Sequence, residues 1–442
     1  ISELNMGNEK GILCDAFFTD AFQQYLISHL GKQDTVNYNG DSIIFTSKPG
    51  VAAYLQQQNE IKGRMHNGDE NNTSIMFNNT FFLKMFRKVE PAIHPDVELS
   101  TFLSEEQNFP SVPEYKGLIE WRSSKGTISL GLMQKLIENH GDGHSYMLER
   151  INNFIERILS RNRAGLDPTF RTGTLLNPVG FEELPEDLQV LLGNHASEQA
   201  RLIGLHTGEM HLELSALNHR PEYRPEEFSL HYQRSLYSSM QSIVREAYQA
   251  LEKNLDNFSP MAKDAASSIA YKKEDILNNL KRIYSKKFDA LKIRTHGVYV
   301  LKKLLVTGND IIIQDFGGNP LRTFSDRRIK RTPLRDIAEM ISSFYYTAYE
   351  GFYTSNQFSK EELPDLLPFA DQWAHYMCVF FVKGYLDVVE GSDLLPKDHQ
   401  ELEILLQSFL LERALKRLNI DAKNHSEWVI VPIKLIKSII DA

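Results

Sequence analysis

Ile311-Ile312-Ile313-Gln314-Asp315-Phe316-Gly317-Gly318 reads as a buried strand that ends on a carboxylate and a glycine turn. Three consecutive branched apolar residues suit a strand covered on both faces. An Asp at the mouth of such a strand, before a flexible turn, suits a metal ligand beside a triphosphate. Asp and Gly are also ordinary turn residues, so Asp-Phe-Gly alone decides little. Its place gives it weight: it closes a β-like island, 298–306 and 310–315, broken at Thr307-Gly308-Asn309 and following Arg294-Thr295-His296-Gly297. The sequence around that island is helical in period, with amphipathic runs at 144–160, 185–220, 227–255, 261–285, 333–350, 366–389 and 396–419.

Upstream the pattern is different. Thr73-Ser74-Ile75-Met76-Phe77 and Thr80-Phe81-Phe82-Leu83-Lys84-Met85-Phe86 flank Asn78-Asn79, which predicts a β-hairpin because Asn tolerates the positive φ of a tight turn. A helix is expected from His94-Pro95-Asp96 to Leu103, Pro95 fitting its first turn and Asp96 its positive end. Another strand is expected near 128–134, and a helix with short strand-like pieces before residue 60. Lys84 within an apolar strand has an ordinary reading, a snorkelling surface lysine. With Glu98 on the next helix it has a sharper one, the lysine–glutamate pair that holds nucleotide phosphates in kinase folds.

The bulk numbers set limits. The 442 residues are 42% hydrophobic and 24% charged, enough apolar material for two or three packed subdomains. Forty-nine basic against 58 acidic residues give a net charge of −9, which argues against a general nucleic-acid binder. No apolar run reaches the length of a membrane span. Cys14 and Cys378, far apart and without metal-ligand spacing, are expected to be buried and reduced, which fits a cytoplasmic location. Position 1 is Ile rather than Met, so a longer polypeptide is expected.

The order of these segments resembles the maltokinase family, including maltokinase domains fused behind a trehalose synthase. Asp69-Glu70-Asn71-Asn72-Thr73-Ser74 is similar to that family's strand entry, and Leu83-Lys84-Met85-Phe86-Arg87-Lys88 to its lysine strand, with Pro95-Asp96-Val97-Glu98 following. Asn139-His140-Gly141-Asp142-Gly143, Gly204-Leu205-His206-Thr207-Gly208-Glu209-Met210-His211-Leu212, Pro333-Leu334-Arg335-Asp336-Ile337-Ala338, Leu411-Glu412-Arg413-Ala414-Leu415 and Trp428-Val429 extend the likeness along nearly the whole chain. The resemblance implies an α+β, protein-kinase-like bilobal fold. It would comprise an N-terminal cap over 1–64, a small β-rich ATP lobe over 65–140 and a large, mainly helical lobe over 141–442. It also implies Lys84 and Glu98 at the nucleotide, Asp315 on magnesium, and ATP as phosphoryl donor to maltose.

The departures gather at the chemistry. Where the family's catalytic loop has His-Gly-Asp, this chain has His296-Gly297-Val298, and Lys303 stands in place of a metal-binding Gln. Valine has no lone pair with which to take a hydroxyl proton. Lys303 opposes a divalent cation at its own position, or serves phosphate as a point charge in its stead. Gly317 replaces a Glu, and Lys416-Arg417-Leu418-Asn419 replaces the sugar-side tail. Weakened or absent binding of ATP, magnesium and maltose is therefore expected. Three functions follow: a degenerate pseudokinase serving a trehalose synthase or other α-amylase-family enzyme, an active maltokinase with a remodelled site, or a nucleotide-sensing pseudokinase.

Three further features have ordinary readings. His140-Gly141-Asp142 copies a catalytic motif but lies in the connector, where a turn is expected. His206 and His211 are five apart, the wrong spacing for a shared metal, and read as packing. Arg322, Arg327, Arg328, Lys330, Arg331 and Arg335, with Lys302 and Lys303, form a basic region that is either solvated surface or a retained anion site.

Overall fold

The structure, a computed structural model, describes residues 2–7, 9–66, 71–161, 165–216, 220–308, 310–424 and 426–441. Asp69 and Glu70 of the strand-entry motif, and Asn309 of the hairpin turn, lie outside the described residues. The chain forms two compact units, Ile1–Asn139 with Ile312–Arg328, and His140–Ile311 with Ile329–Ala442.

The first unit opens with the hairpin β1 (Ser2–Met6) and β2 (Glu9–Leu13), then α1 (Asp20–Lys32), N-capped by Thr19. There follow β3 (Thr35–Tyr38), β4 (Asp41–Ser47), α2 (Pro49–Gln56), β5 (Gly63–His66), β6 (Asn72–Phe77), β7 (Phe81–Phe86), α3 (Pro95–Thr101), β8 (Tyr115–Ser123) and β9 (Gly126–Lys135). Strands β3 to β9 make one antiparallel sheet in the order β3-β4-β8-β9-β7-β6-β5. The expected Asn-Asn hairpin is present, Asn78 and Asn79 having φ of 47° and 52°. Because β3 and β4 pair into this sheet through β8, the expected cap over 1–64 and lobe over 65–140 fall, up to Asn139, in one unit. The strand β8 is not legible in the sequence, since Gly117 and the adjacent Leu118-Ile119 interrupt its alternation and leave only Ile119-Glu120-Trp121-Arg122 in period two.

Period-two alternation along β7 decides where Lys84 goes. Phe81, Leu83 and Met85 enter a core shared with Leu26, Ile27 and Leu30 of α1. The opposite face presents Lys84 and Phe86, and Phe86 packs with Val97 of α3 and Leu132 of β9. The lysine is thus committed to the α3 side, with only 6% of its surface exposed.

In the second unit come α4 (Gly143–Ser160), α5 (Glu186–Leu192), α6 (Asn194–Ser215), β10 (Glu226–Glu227), α7 (Leu230–Asn254), α8 (Pro260–Ile269), α9 (Lys273–Lys281) and β11 (Leu291–Lys292). The expected helix over 185–220 is two helices, because Gly193 takes φ of 81° and ends α5. The expected strand from residue 298 begins only at β12 (Leu304–Thr307), after a 3-10 turn at Leu301–Lys303. Its partner β13 (Asp310–Ile313) starts in the second unit and runs into the first, so 312–328, including α10 (Phe324–Arg327), leaves the helical lobe to which the sequence assigned it.

The remaining helices are α11 (Leu334–Thr354), α12 (Leu363–Val389), α13 (His399–Asn424) and α14 (Ile430–Ile440). Helices α6 and α12 meet backbone to backbone. A Cβ on Gly204 would lie 1.9 Å from the Phe381 carbonyl oxygen, and one on Gly384 2.1 Å from that of Arg201. Both cysteines are free; Cys378 is buried, whereas Cys14 is exposed, contrary to expectation, on the irregular stretch after β2. Among the described residues no helix is long and apolar enough to cross a membrane.

Candidate functional site

In the first unit, Lys84 Nζ donates to Asp96 Oδ2 at 2.7 Å and to Asp315 Oδ1 at 3.1 Å. The acid on α3 that meets the lysine is therefore Asp96. Glu98, expected to pair with Lys84, instead takes Arg328 Nε at 2.7 Å. The register of the helix explains the difference: Asp96, in its first turn, is 1% exposed, while the Glu98 side chain, two residues on, is directed to Arg328. Asp96 does more than neutralise the lysine. Its Oδ1 accepts the Phe316 N–H at 2.8 Å and the Ser100 hydroxyl at 3.2 Å, tying the Asp-Phe-Gly segment to α3 and β7.

Asp315 lies at the end of β13 with φ of 65°, a left-handed conformation that non-glycine residues adopt only where surroundings impose it. Its side chain is 26% exposed, against 7% for Lys84. The surrounding pieces are fixed by His94, which caps α3 by accepting the Asp96 N–H through Nδ1 at 3.1 Å. Its ring stacks on Phe86 at 3.8 Å, and burial holds its pKa down to about 4, so the cap stays neutral. This unit therefore presents one buried lysine and one partly open carboxylate, held by a satisfied framework.

In the second unit, Asp336 organises the loop 294–303. Its Oδ2 accepts the His296 N–H at 2.8 Å, and its Oδ1 accepts the Gly297 N–H at 3.1 Å. His211 Nε2 lies 3.3 Å from Oδ2, and His211 Nδ1 lies 3.2 Å from the Tyr385 hydroxyl. Burial raises the Asp336 pKa, but hydrogen bonds and charge from His211, His296 and Gly297 more than offset it and hold it below the ordinary carboxylate range. Further along, Tyr299 shares a hydrogen bond with Thr207 at 2.8 Å, and Leu301 N–H donates to Ser343 at 3.1 Å. The loop is thus pinned before and after its tip. At the tip, Gly297 takes φ of 86° and the half-buried next residue is Val298.

His211 read as packing is corrected here: it is a positioning group for Asp336. His206 joins Glu209 at 2.7 Å and Asp310 at 2.6 Å, linking α6 to the start of β13. His140-Gly141-Asp142 is a connector, with His140 N–H on the Val306 carbonyl and the Asp142 carboxylate capping α4 through Ser145 N–H.

The basic region is dispersed rather than gathered on one site. Arg328 binds Glu98, Lys330 binds Glu226 at 3.0 Å, and Arg335 binds Glu412 at 2.9 Å. Arg327 donates to the Gly317 carbonyl at 2.9 Å. Along α13, Lys416 pairs with Glu412 at 2.7 Å and Arg417 with Asp421 at 3.0 Å, each with an acid of its own helix. Asp421 also accepts the Tyr346 hydroxyl, and the Tyr346 ring stacks on Trp428 with centroids 5.8 Å apart. That aromatic pair was missed in the sequence, where Tyr346 and Trp428 are eighty-two positions apart (428 − 346).

Asp315 supplies one carboxylate to the first unit's cluster. Among the described residues no group of three or more His, Cys, Asp or Glu is arranged to hold a metal ion.

No protein-family model matches the sequence. Among solved structures, a glucosamine kinase superposes with a TM-score of 0.65 at 14% identity, over 96% of this chain and 85% of its own. A glucosamine kinase in complex with glucosamine, ADP and inorganic phosphate gives 0.64 at 15% identity, over 95% and 83%. A choline kinase from Cryptosporidium parvum aligns over 95% of this chain and 96% of its own at 13% identity, with a TM-score of 0.44. At this identity the glucosamine kinase likeness shows the fold: it is kinase-like.

Proposed function

We propose that this chain is a maltokinase-like pseudokinase, without phosphotransfer of its own, that serves as a structural or regulatory element in maltose, trehalose or α-glucan metabolism. Its partner on this reading is an α-amylase-family enzyme such as trehalose synthase, fused or associated. One observation carries the proposal. The Asp336 clamp holds the His296-Gly297 backbone in place, and the residue it presents is Val298. A loop that had merely drifted has no need of a buried, triply bonded aspartate. General-base assistance contributes about 10²–10⁴-fold in rate, and valine supplies none of it. The altered sugar-side tail supports the same reading, since Lys416 and Arg417 are occupied by Glu412 and Asp421.

A second reading, nucleotide sensing, is favoured by the cluster of Lys84, Asp96 and Asp315, which keeps a cation buried where the resemblance places the phosphates. The glucosamine kinase with bound ADP shares the fold and supports it. Differential scanning fluorimetry with ATP, with and without magnesium, tests this reading. A ligand at a hundred times its Kd stabilises by about 2.7 kcal/mol, a shift of several degrees. The expected result is a shift that does not require magnesium, because the resemblance puts Lys303 in place of a metal-binding Gln. No shift in either condition removes the nucleotide reading and leaves the structural one.

A further inference from the structure

The second unit carries a partly open cavity of about 420 Å³ that shares no lining residue with the loop 294–303. Its walls come from α11, α12, α13 and α14, through Ile341, Cys378, Leu406, Leu410, Leu435 and Ile439, with the segment 174–177 along one side. Clefts with volumes of this order are typical of small-molecule sites.

The wall also carries polar groups, among them Tyr345, His375, Gln407 and Ser438, with neither Lys nor Arg. The hydroxyl of Tyr345, a half-buried residue of α11, makes no hydrogen bond to another described residue. Beside it is His375, whose Nε2 lies 3.5 Å from the Thr172 carbonyl oxygen. Burial, reinforced by Arg171, depresses the His375 pKa to about 4, so the imidazole is neutral near neutral pH. Burial likewise keeps Cys378 a thiol. The one carboxylate on the wall, Glu403, is half-exposed and accepts the Gln407 amide at 3.0 Å.

We propose that this cavity is a binding site for a neutral, largely apolar small molecule of two to three rings, carrying one hydrogen-bonding group directed at the Tyr345 hydroxyl. The size follows from the volume, since a cavity of roughly 150 Å³ takes one benzene ring. The neutrality follows from the wall: no Lys or Arg is there to offset an anion's lost hydration, and its one carboxylate, Glu403, is half-exposed and bonded to Gln407. The polar group follows from Tyr345, whose hydroxyl has no hydrogen-bond partner among the described residues. The site is independent of phosphotransfer and stands whether the chain is a kinase or a pseudokinase.

N-phenyl-1-naphthylamine, a neutral three-ring fluorophore with one N–H, is a suitable probe for the intact chain. Saturable, blue-shifted emission with one site per chain and a Kd on the order of 10 μM is expected. Tyr345→Phe, which keeps the volume, should weaken binding about fivefold. Ser438→Trp at the exposed mouth should weaken it tenfold or more, with Glu403→Trp as a second obstruction from another wall should the first variant not fold. Circular dichroism and melting curves establish that each variant is folded. Absence of saturable binding to the folded wild-type chain overturns the proposal, as does an unchanged Kd in Tyr345→Phe together with a folded mouth variant.

Discussion

Asp336→Ala is expected to lower the stability of the helical unit by about 3–5 kcal/mol, the cost of breaking a buried charge network by removing one member. The aspartate is 1% exposed, and His211 is fully buried. Alanine would leave the N–H groups of His296 and Gly297 without their acceptor, and His211 without its anion. Each buried donor left unsatisfied costs about 1–3 kcal/mol. Calorimetry should register a fall of roughly 10 °C in the Tm of that unit. Asn, which retains one acceptor oxygen, should fall between wild type and alanine. A loss below about 1 kcal/mol would mean that Asp336 does not hold the loop, and the clamp would no longer distinguish a maintained loop from a decayed one.

Lys84→Met is expected to cost a similar amount, about 3–5 kcal/mol, in the sheet-rich unit. Asp96 would keep its two neutral donors, Phe316 N–H and Ser100, but lose the cation that compensates its burial. The variant should also abolish any ATP-induced thermal shift. Adding Asp96→Asn should restore part of the stability without restoring the shift, because asparagine still accepts from Phe316 while the buried charge is gone. Additivity of the two single losses in a double-mutant cycle would show that Lys84 and Asp96 are not coupled.

What the sequence revealed depended on how local the physics was. The hairpin around Asn78-Asn79 was legible because turn geometry and alternation are written in adjacent residues. The joining of β4 to β8 was not, since Phe45 meets Ile119 across most of the unit and neither strand alternates cleanly. Lys84 stood out because a lysine breaks an apolar strand. Asp96 did not, because an acid in a first helical turn has a sufficient local explanation in the helix dipole. Asp336 was hidden in the same way at the start of α11, and its bonds to residues forty positions away are visible only in three dimensions. Residue type points to Glu98 beside Lys84 and spacing separates His211 from His206, whereas the hydrogen bonds to Asp96 and Asp336 are visible only in the folded chain.

The kinase-like fold leaves the chemistry of this chain to be decided at Val298. The most direct measurement is ³¹P NMR of the purified wild-type chain incubated with ATP, magnesium and maltose. The pseudokinase reading requires that no sugar phosphate accumulate above the enzyme-free control. Maltose-dependent turnover at ordinary kinase rates, about 1–100 per second, would contradict it and show that the loop transfers phosphate without an aspartate at its tip.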